Sequence, residues 1–430
     1  MRVQDHIGVI SWSLADKGLF ILYGFVLIII MNYTEPAEFG LFSLLIALHT
    51  WIFTISDSFS LQSLIQFGMN ENNRKKVNLL ALISHIVLTF GASLIVFIFR
   101  HPLAELFSEP RIVEIASFLP VLSIAFIPRT YSQKIIYRIQ NMFYLFLTNF
   151  AFFGTISAFI FLNITSTKLL TFTDLAYYYL FGSLASSTIA LVLINKHLRF
   201  SHKGEISWRS IYRFSWKMTT VSILFTLPRL MDVFIIKMFF QLETVGLYAA
   251  AKNIFRVFDE ALSAINSLLY PAAVRHIEHK NFGELYSLLT KSFSFGFVIF
   301  TVSFLLLYSG LSSIIFNFIL PSSYSQSLDY FNILIIALPF LPFTFIYSVM
   351  VAMNKMNHII IIVSIALIVF ITISISIGEN NLTSLIPLGL ISYYILIGII
   401  GFFYSKTTLN IPVKSIFRFF NDSKSYLSKH

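Results

Sequence analysis

The chain contains no cysteine among its 430 residues. This absence excludes a disulfide framework, a thiol nucleophile and a thiolate metal site. Phosphate loops of the GxxxxGK type, dinucleotide fingerprints, HExxH and GxSxG are also missing, so the common signatures of soluble enzymes are absent. We therefore expect no enzymatic activity, no cofactor and no bound metal ion. An ATP-driven pump would need a separate subunit to hydrolyse the nucleotide.

Charged residues are scarce and apolar side chains dominate. Only 12% of the residues are charged, whereas 57% are hydrophobic and the mean hydropathy is +0.80. A soluble protein could not cover that much apolar surface. A helix of about 20 apolar residues crosses the hydrocarbon core of a bilayer, where every backbone polar group must be satisfied within the helix. The sequence thus predicts an all-α membrane protein.

About twelve apolar stretches have the length of a membrane span. We place them at 11–33, 40–66, 79–99, 112–130, 141–162, 174–195, 216–240, 245–270, 288–308, 328–352, 357–377 and 384–404. The first stretch carries Asp16 and Lys17 and lacks a small-residue cleavage pattern, so we interpret it as a retained helix.

The 30 lysine and arginine residues are distributed unevenly between the two sides of these spans. Most fall on the side that holds the N-terminus, and the connections on the opposite side contain only Arg100, Arg111 and Lys168. The positive-inside rule therefore predicts a multi-pass protein with both termini in the cytoplasm. This arrangement puts Arg129 and Lys134 in a cytoplasmic connection. The net charge of +10 then reflects topology, and no nucleic-acid partner is expected.

Two basic stretches combine charge with apolar residues. Arg209, Arg213 and Lys217 repeat every four residues before the seventh span, and the tail at 406–430 interleaves phenylalanines with basic residues. Both are typical of segments that lie along the inner membrane surface, where anionic headgroups could hold them. A plain positive-inside signal, with no binding role, explains the same pattern.

Two short segments of the first half resemble segments of the second half, and in both cases the spans that they precede or begin are six places apart. Residues 38–43 (EFGLFS) resemble 244–249 (TVGLYA), and 139–142 (IQNM) resemble 353–356 (MNKM). Repeats of this kind are common in transporters, although chance similarity in an apolar sequence is the alternative. We predict an N-terminal lobe at 1–195, a basic cytoplasmic linker at 196–215, a C-terminal lobe at 216–405 and a basic tail at 406–430. Two six-helix lobes would surround a central cavity.

The eighth span carries a polar stripe. One helical face holds the residues Lys252, Arg256, Asp259, Ser263 and Asn266, with Glu260 at its margin. Ionisable residues are costly inside a membrane, so the stripe predicts the wall of a water-filled passage. Lys252 and Arg256 are the candidates for attracting an anionic substrate such as a diphosphate.

Other spans contribute fewer charges. The seventh span has Arg229 and Asp232, and the second has Asp57. We include these three with the stripe as cavity or substrate-binding residues, and Asp57, Asp259 and Glu260 as candidates for binding a coupling ion. The alternative is that Arg229 with Asp232, or Arg256 with a neighbouring acid, forms an ion pair that fixes helix packing. Asp16 and Lys17 are expected to reach the headgroups.

Six motifs follow one another along the chain: 35–42 (EPAEFGLF), 55–57 (ISD), 208–215 (WRSIYRFS), 230–236 (LMDVFII), 245–251 (VGLYAAA) and 270–271 (YP). Together they resemble the polysaccharide-exporter branch of the multidrug/oligosaccharidyl-lipid/polysaccharide (MOP) superfamily, in particular the Wzx-type flippases of O-antigen or capsule repeat units. The resemblance implies a substrate of undecaprenyl diphosphate carrying a short oligosaccharide, moved from the cytoplasmic to the periplasmic leaflet of the bacterial inner membrane by alternating access. It also implies membrane lipids, a polysaccharide polymerase and a chain-length regulator as partners.

Two other functions stay open at this stage. A cation-coupled multidrug exporter has the same fold, although the cationic stripe argues against it. A polysaccharide polymerase is also a multi-span protein, but such enzymes usually carry a large periplasmic loop, and the longest outer connection here, near 309–327, is short and uncharged.

Overall fold

A computed structural model describes residues 7–164, 169–353 and 355–408. Across these residues the chain is helical and has no β-strand, and an isolated bridge links Thr34 with Leu170. The predicted all-α class is therefore confirmed. Two residues used above, Lys168 and Asn354 of the segment 353–356, lie outside the described residues, as does the basic tail from 409 onward.

The chain divides into two compact units, Met1–Ala249 and Ala250–His430. The helices of the first unit are α1 (Ile7–Asn32), α2 (Pro36–Ser56), α3 (Gln62–Gln66), α4 (Glu71–Ile98), α5 (Arg100–Leu106), α6 (Ile112–Arg138), α7 (Met142–Ile164), α8 (Phe172–Ile194) and α9 (Trp208–Phe239). A π-helical segment, Asp57–Leu61, joins α2 to α3, and a 3-10 turn, Asn195–His197, follows α8. The long helix α10 (Leu242–Glu278) begins in the first unit and ends in the second. The lobe boundaries at 195 and 216 stay a prediction.

The second unit contains the remainder of α10 and six further helices. They are α11 (Phe282–Leu306), α12 (Ser312–Ile319), α13 (Ser327–Leu334), α14 (Phe345–Ala352), α15 (Met356–Glu379) and α16 (Leu388–Thr408). The π-helical segment Leu307–Leu311 links α11 to α12, and Gly310 there has a positive φ of 115° that favours glycine. Pro339 and Pro342 lie in the 3-10 segment Ile335–Thr344, between α13 and α14. Neither proline has a backbone N–H to donate to an α-helical hydrogen bond, so the α-helix is interrupted there.

Helix α4 is polar inside and apolar outside. Its buried positions include four polar residues, Asn78, His85, Thr89 and Ser93. Its exposed positions include the large apolar residues Ile83, Ile86, Val87, Leu94 and Ile95. A helix in water would show the reverse pattern, so α4 is built to face lipid.

Ten helical segments within the described residues are long and apolar enough to cross a membrane. Helix α9 adds one more, bent by 41° between Trp208–Thr220 and Ser222–Phe239. The 37-residue helix α10 takes the place of the predicted eighth span, and its charged stripe distinguishes it from the apolar spans. The protein is therefore a multi-pass membrane protein, and the predicted number of about twelve spans is an approximation.

The segment between α8 and α9 is bound to the start of α4. Lys76 Nζ donates hydrogen bonds to the carbonyls of Gly204 at 3.1 Å and Ile206 at 2.9 Å. Asn78 Nδ2 donates to the carbonyls of His197 at 3.3 Å and Arg199 at 3.0 Å. The predicted cytoplasmic linker is thus tethered along its length to the first unit.

At the opposite end of the first unit, Glu38 joins three helices. Its two carboxylate oxygens accept bonds from the Arg111 guanidinium at 2.6 and 3.0 Å, and one of them also accepts the Phe172 amide at 2.6 Å. The hydrogen bonds to Glu38 raise the pKa of Arg111 above its ordinary value. This bidentate pair fixes the starts of α2, α6 and α8 relative to one another.

Candidate functional site

The polar stripe of α10 lies in the second unit and has a mixed environment. Arg256 Nε lies 3.3 Å from Glu260 Oε1, and the two side chains are 38% and 31% exposed. Lys252, one turn earlier, is half-buried, and Ser263 is exposed. These positions bring two cations to one face of the helix with an acid beside them, as the spacing predicts.

Two members of the stripe bind neighbouring helices of the same unit. The hydroxyl of Tyr394 in α16 lies 3.5 Å from both carboxylate oxygens of Asp259. The hydroxyl of Ser348 in α14 donates to Asn266 Oδ1 at 2.7 Å. One margin of the stripe is therefore packed against helices, whereas Arg256, Glu260 and Ser263 keep exposed surface.

Asp232 of α9 is buried in the first unit. It accepts a hydrogen bond from the Tyr248 hydroxyl at 2.7 Å and from the Val233 amide at 2.8 Å. Arg229, one turn before it, is exposed. Asp232 thus connects α9 to the start of α10 through Tyr248, and its role in substrate binding stays a prediction.

Asp57 begins the π-helical segment after α2. Lys134 Nζ of α6 lies 3.0 Å from its Oδ2 atom, and Gln62 donates to the same atom at 3.1 Å. The extra residue of a π-helical turn redirects side chains and recurs at functional sites. The charge pattern predicts Lys134 in a cytoplasmic connection, but α6 continues to Arg138, so this cation lies on a helix within reach of Asp57.

A buried charge cluster in the first unit was not predicted from the sequence. Arg129 of α6 donates to Ser186 Oγ of α8 at 2.9 Å and to Asn149 Oδ1 of α7 at 2.7 Å, and Asn149 Nδ2 donates to Asp16 Oδ1 of α1 at 2.7 Å. The Arg129 guanidinium also stacks on Phe126 and Phe152, with 4.8 and 4.4 Å to the ring centroids. The expectation that Asp16 reaches the headgroups is wrong, because this carboxylate is buried and bonded to α7.

A second buried polar cluster surrounds His85. Its Nδ1 atom lies 2.7 Å from Ser56 Oγ, and its Nε2 atom lies 2.7 Å from Thr130 Oγ1. The Thr89 hydroxyl joins the same hydrogen-bond network by donating to Ser56 Oγ at 2.8 Å. Helices α2, α4 and α6 are therefore joined by side-chain hydrogen bonds at the depth of the apolar core.

His49, by contrast, has an aromatic environment. The ring packs against Phe53, Phe126 and Tyr179, with centroids 4.4, 4.5 and 5.6 Å away. Neither ring nitrogen has a hydrogen-bond partner among the described residues. The sequence signal that separates the two histidines is the helical spacing of Asn78, His85, Thr89 and Ser93, which marks a polar face on α4.

The clusters place charges and hydrogen-bonding groups inside a membrane protein. Within the described ranges, no three histidine, aspartate or glutamate side chains are grouped to hold a metal ion. The chemistry available to the α10 stripe is reversible binding of an anion by Lys252 and Arg256, next to carboxylates that can exchange partners.

The chain is similar to transporters of known structure. It aligns with the lipid II flippase MurJ in an inward closed conformation with a TM-score of 0.74 and 14% identity, over 95% of this chain and 89% of that one. It aligns with an inward-facing multidrug resistance MATE family transporter with a TM-score of 0.68 and 12% identity, over 94% of this chain and 96% of the transporter. A MOP superfamily transporter from Pyrococcus furiosus gives a TM-score of 0.62 at 14% identity, over 94% of this chain and 95% of that transporter. At these identities the similarity is one of fold.

Comparison with curated proteins gives no match. A family model described as "Polysaccharide biosynthesis protein" matches residues 8–277, from α1 to the end of α10. This match covers more than half of the chain and agrees with the transporter fold. The chain therefore belongs to the polysaccharide biosynthesis protein family of the MOP superfamily.

Proposed function

We propose that the chain is a flippase that moves undecaprenyl diphosphate-linked oligosaccharide repeat units from the cytoplasmic to the periplasmic leaflet of a bacterial inner membrane, by alternating access. The repeat units serve O-antigen or capsular polysaccharide assembly. A polysaccharide polymerase and a chain-length regulator are the proposed partners, and both termini are cytoplasmic.

The observation that carries this proposal is the family match over residues 8–277. A polysaccharide is assembled outside the cell from lipid-linked units made inside, so its pathway needs a protein that moves a large anionic lipid across the bilayer. One of the proteins of similar fold is, by its name, a flippase of lipid II. A multi-pass transporter of this family suits that task.

The α10 stripe supplies the chemistry that a diphosphate requires. Arg256 is held by Glu260 in a partly exposed pair of i,i+4 spacing, and such pairs contribute only about 0.3–0.5 kcal/mol. A diphosphate carries more charge than one carboxylate, so it can replace Glu260 as the partner of Arg256. Lys252, one helical turn away, would bind the second phosphate as a flexible point charge.

A cation-coupled multidrug exporter is the second candidate, because MATE family transporters have a similar fold. The acidic residues Asp57, Asp259 and Glu260 are the candidates for ion coupling in either case. The cationic side chains at Lys252 and Arg256 disfavour a cationic drug in the same place, since like charges repel.

The decisive experiment is deletion of the gene followed by complementation. The deletion should cause lipid-linked repeat units to accumulate in the cytoplasmic leaflet, and the native gene should restore surface polysaccharide. Lys252→Ala combined with Arg256→Ala should abolish this restoration at unchanged protein abundance. Arg275→Ala combined with Lys280→Ala removes the same charge from exposed positions at the end of α10 and just beyond it, and should retain activity.

Three results would reject the flippase function, support the second candidate or reject the role of the stripe. Normal surface polysaccharide after deletion rejects the flippase function. Efflux of small cationic dyes, with no effect on lipid-linked intermediates, supports the drug exporter. Full complementation by the Lys252 and Arg256 variant rejects the role of the stripe and leaves the flippase function standing.

A further inference from the structure

The start of α9 exposes aromatic and basic side chains next to one another. We define the α9 surface as Trp208, Arg209, Tyr212, Arg213 and Trp216. The three aromatic residues follow one another at four-residue spacing and are 47%, 39% and 68% exposed. Arg209 and Arg213 repeat at the same spacing, one residue further along, and both are exposed. One side of this helix therefore has an aromatic stripe beside a cationic stripe.

The opposite side of the same turns is firmly packed. Ile211, Ser215 and Thr219 are buried, and Ile211 belongs to a core cluster with Leu61 and Tyr131. The Ser207 side chain caps the helix by accepting the Ser210 amide at 3.2 Å. The aromatic exposure is thus a fixed property of a packed helix, since the residues behind it are held in place.

Among the described residues, no carboxylate lies within ion-pair distance of Arg209 or Arg213 of the α9 surface. Arg74 and Arg111, in contrast, are paired with Glu71 and Glu38. The α9 surface therefore presents uncompensated positive charge. Guanidinium groups bind phosphate oxygens in a bidentate manner, so this charge is complementary to a phosphate.

Position and chemistry identify one kind of ligand. Trp208–Thr220 is the first arm of the bent candidate span that continues through Ser222–Phe239, so the α9 surface lies at one end of that span. Basic residues at the end of a span favour the membrane boundary. Tryptophan and tyrosine concentrate at that boundary, where one part of the ring meets acyl chains and another meets headgroups. We propose that the α9 surface binds anionic phospholipids of the cytoplasmic leaflet, with the arginines on the headgroup phosphate and the aromatic rings against the upper acyl chain. The leaflet assignment rests on the topology of the proposed function.

The tryptophans of the chain provide a direct probe. There are four, at positions 12, 51, 208 and 216. Trp12→Phe combined with Trp51→Phe leaves Trp208 and Trp216 of the α9 surface as the only tryptophans, and their emission is excited selectively over that of tyrosine at the red edge of the absorption band. Trp51 tolerates this change because its indole N–H has no hydrogen-bond partner among the described residues. This variant is reconstituted into phosphatidylcholine vesicles that contain a minor fraction of phosphatidylglycerol, with bromine on the acyl chains of one lipid or the other.

If the α9 surface binds phosphatidylglycerol preferentially, brominated phosphatidylglycerol should quench the tryptophan fluorescence more strongly than expected from its fraction of the bilayer lipids. Arg209→Gln and Arg213→Gln should each reduce the apparent preference about fivefold, equivalent to about 1 kcal/mol. The matched control is Lys196→Gln with Lys203→Gln, which removes two exposed cations from the preceding segment and should leave the preference unchanged. Circular dichroism and size-exclusion profiles of each variant establish that it is folded.

Quenching in proportion to bulk composition would overturn the proposal, as would a preference that survives loss of both arginines. Displacement of brominated phosphatidylglycerol by stoichiometric undecaprenyl diphosphate would also overturn it, because the surface would then bind the transported lipid. The assay requires no transport, so its failure is distinguishable from a failure of the proposed function.

Discussion

Gly40 of α2 and Gly246 of α10 lie in direct backbone contact. A Cβ atom built on Gly246 overlaps the carbonyl of Pro36, and one built on Gly40 overlaps the carbonyl of Leu242. These glycines occupy corresponding positions in the two similar segments, 38–43 and 244–249. The internal similarity therefore includes the point where the two segments meet, at which only glycine permits the approach.

We expect Gly246→Ala to destabilise the protein by about 1–3 kcal/mol, because the new methyl group must push α10 away from the backbone of α2. The measurement is the midpoint of thermal unfolding of the purified protein in detergent. Gly91→Ala and Gly154→Ala are controls, since a Cβ at either position meets no atom within 4 Å. Equal midpoints for all three variants would show that the α2 and α10 backbones are not in contact.

The hydrogen bond between Tyr248 and Asp232 gives a second prediction. Tyr248→Phe removes the hydroxyl donor from a buried carboxylate, and a hydrogen bond to a charged group contributes about 1.5–3 kcal/mol. The unfolding midpoint should fall, whereas Tyr308→Phe, at an exposed position, should leave it unchanged. Unaltered stability of Tyr248→Phe combined with lost transport would instead support a direct substrate role for Asp232.

Asp57 and Lys134 can be tested as a pair. If they form a packing interaction, Asp57→Asn and Lys134→Gln should each destabilise the protein, and the double variant should be more stable than additivity predicts by about 0.5–3 kcal/mol. Transport should recover along with stability in that double variant. A double variant that folds like the native protein but has lost ion-dependent transport would make Asp57 a coupling residue.

Hydropathy predicted the apolar helices well, because it follows from the composition of a single helix. The helical spacing likewise places the α10 residues on one face, whereas their role as the wall of a passage stays a prediction. Arg256 and Glu260 are close since four residues separate them, which any α-helix brings together. The Asp57 segment was harder to predict. Its π-helical turn arises within an apolar run that would also suit a regular helix, and its partner Lys134 comes from another helix.

Arg129 illustrates what a single sequence does not disclose. A basic residue near the end of an apolar run has the same pattern whether it ends a span or lies within one. Its burial depends on Asn149 of α7, Ser186 of α8 and two aromatic rings, which are brought together only by packing. Helix ends were therefore placed too early in α6, and the cation was assigned to a connection.

The Arg129 cluster yields the last prediction. Arg129→Met removes the cation and leaves the Asp16 carboxylate and the Asn149 amide buried without it, so we expect a loss of about 3–5 kcal/mol and low abundance in the membrane. Adding Asp16→Asn removes the remaining buried charge and should restore much of the abundance, because an uncharged pair has a far smaller desolvation cost. Arg100→Met, at a half-buried position beside Phe97, is the matched control and should have little effect. Membrane abundance and unfolding midpoints together decide the outcome, and a double variant no more stable than Arg129→Met alone would mean that Asp16 is not the charge that Arg129 balances.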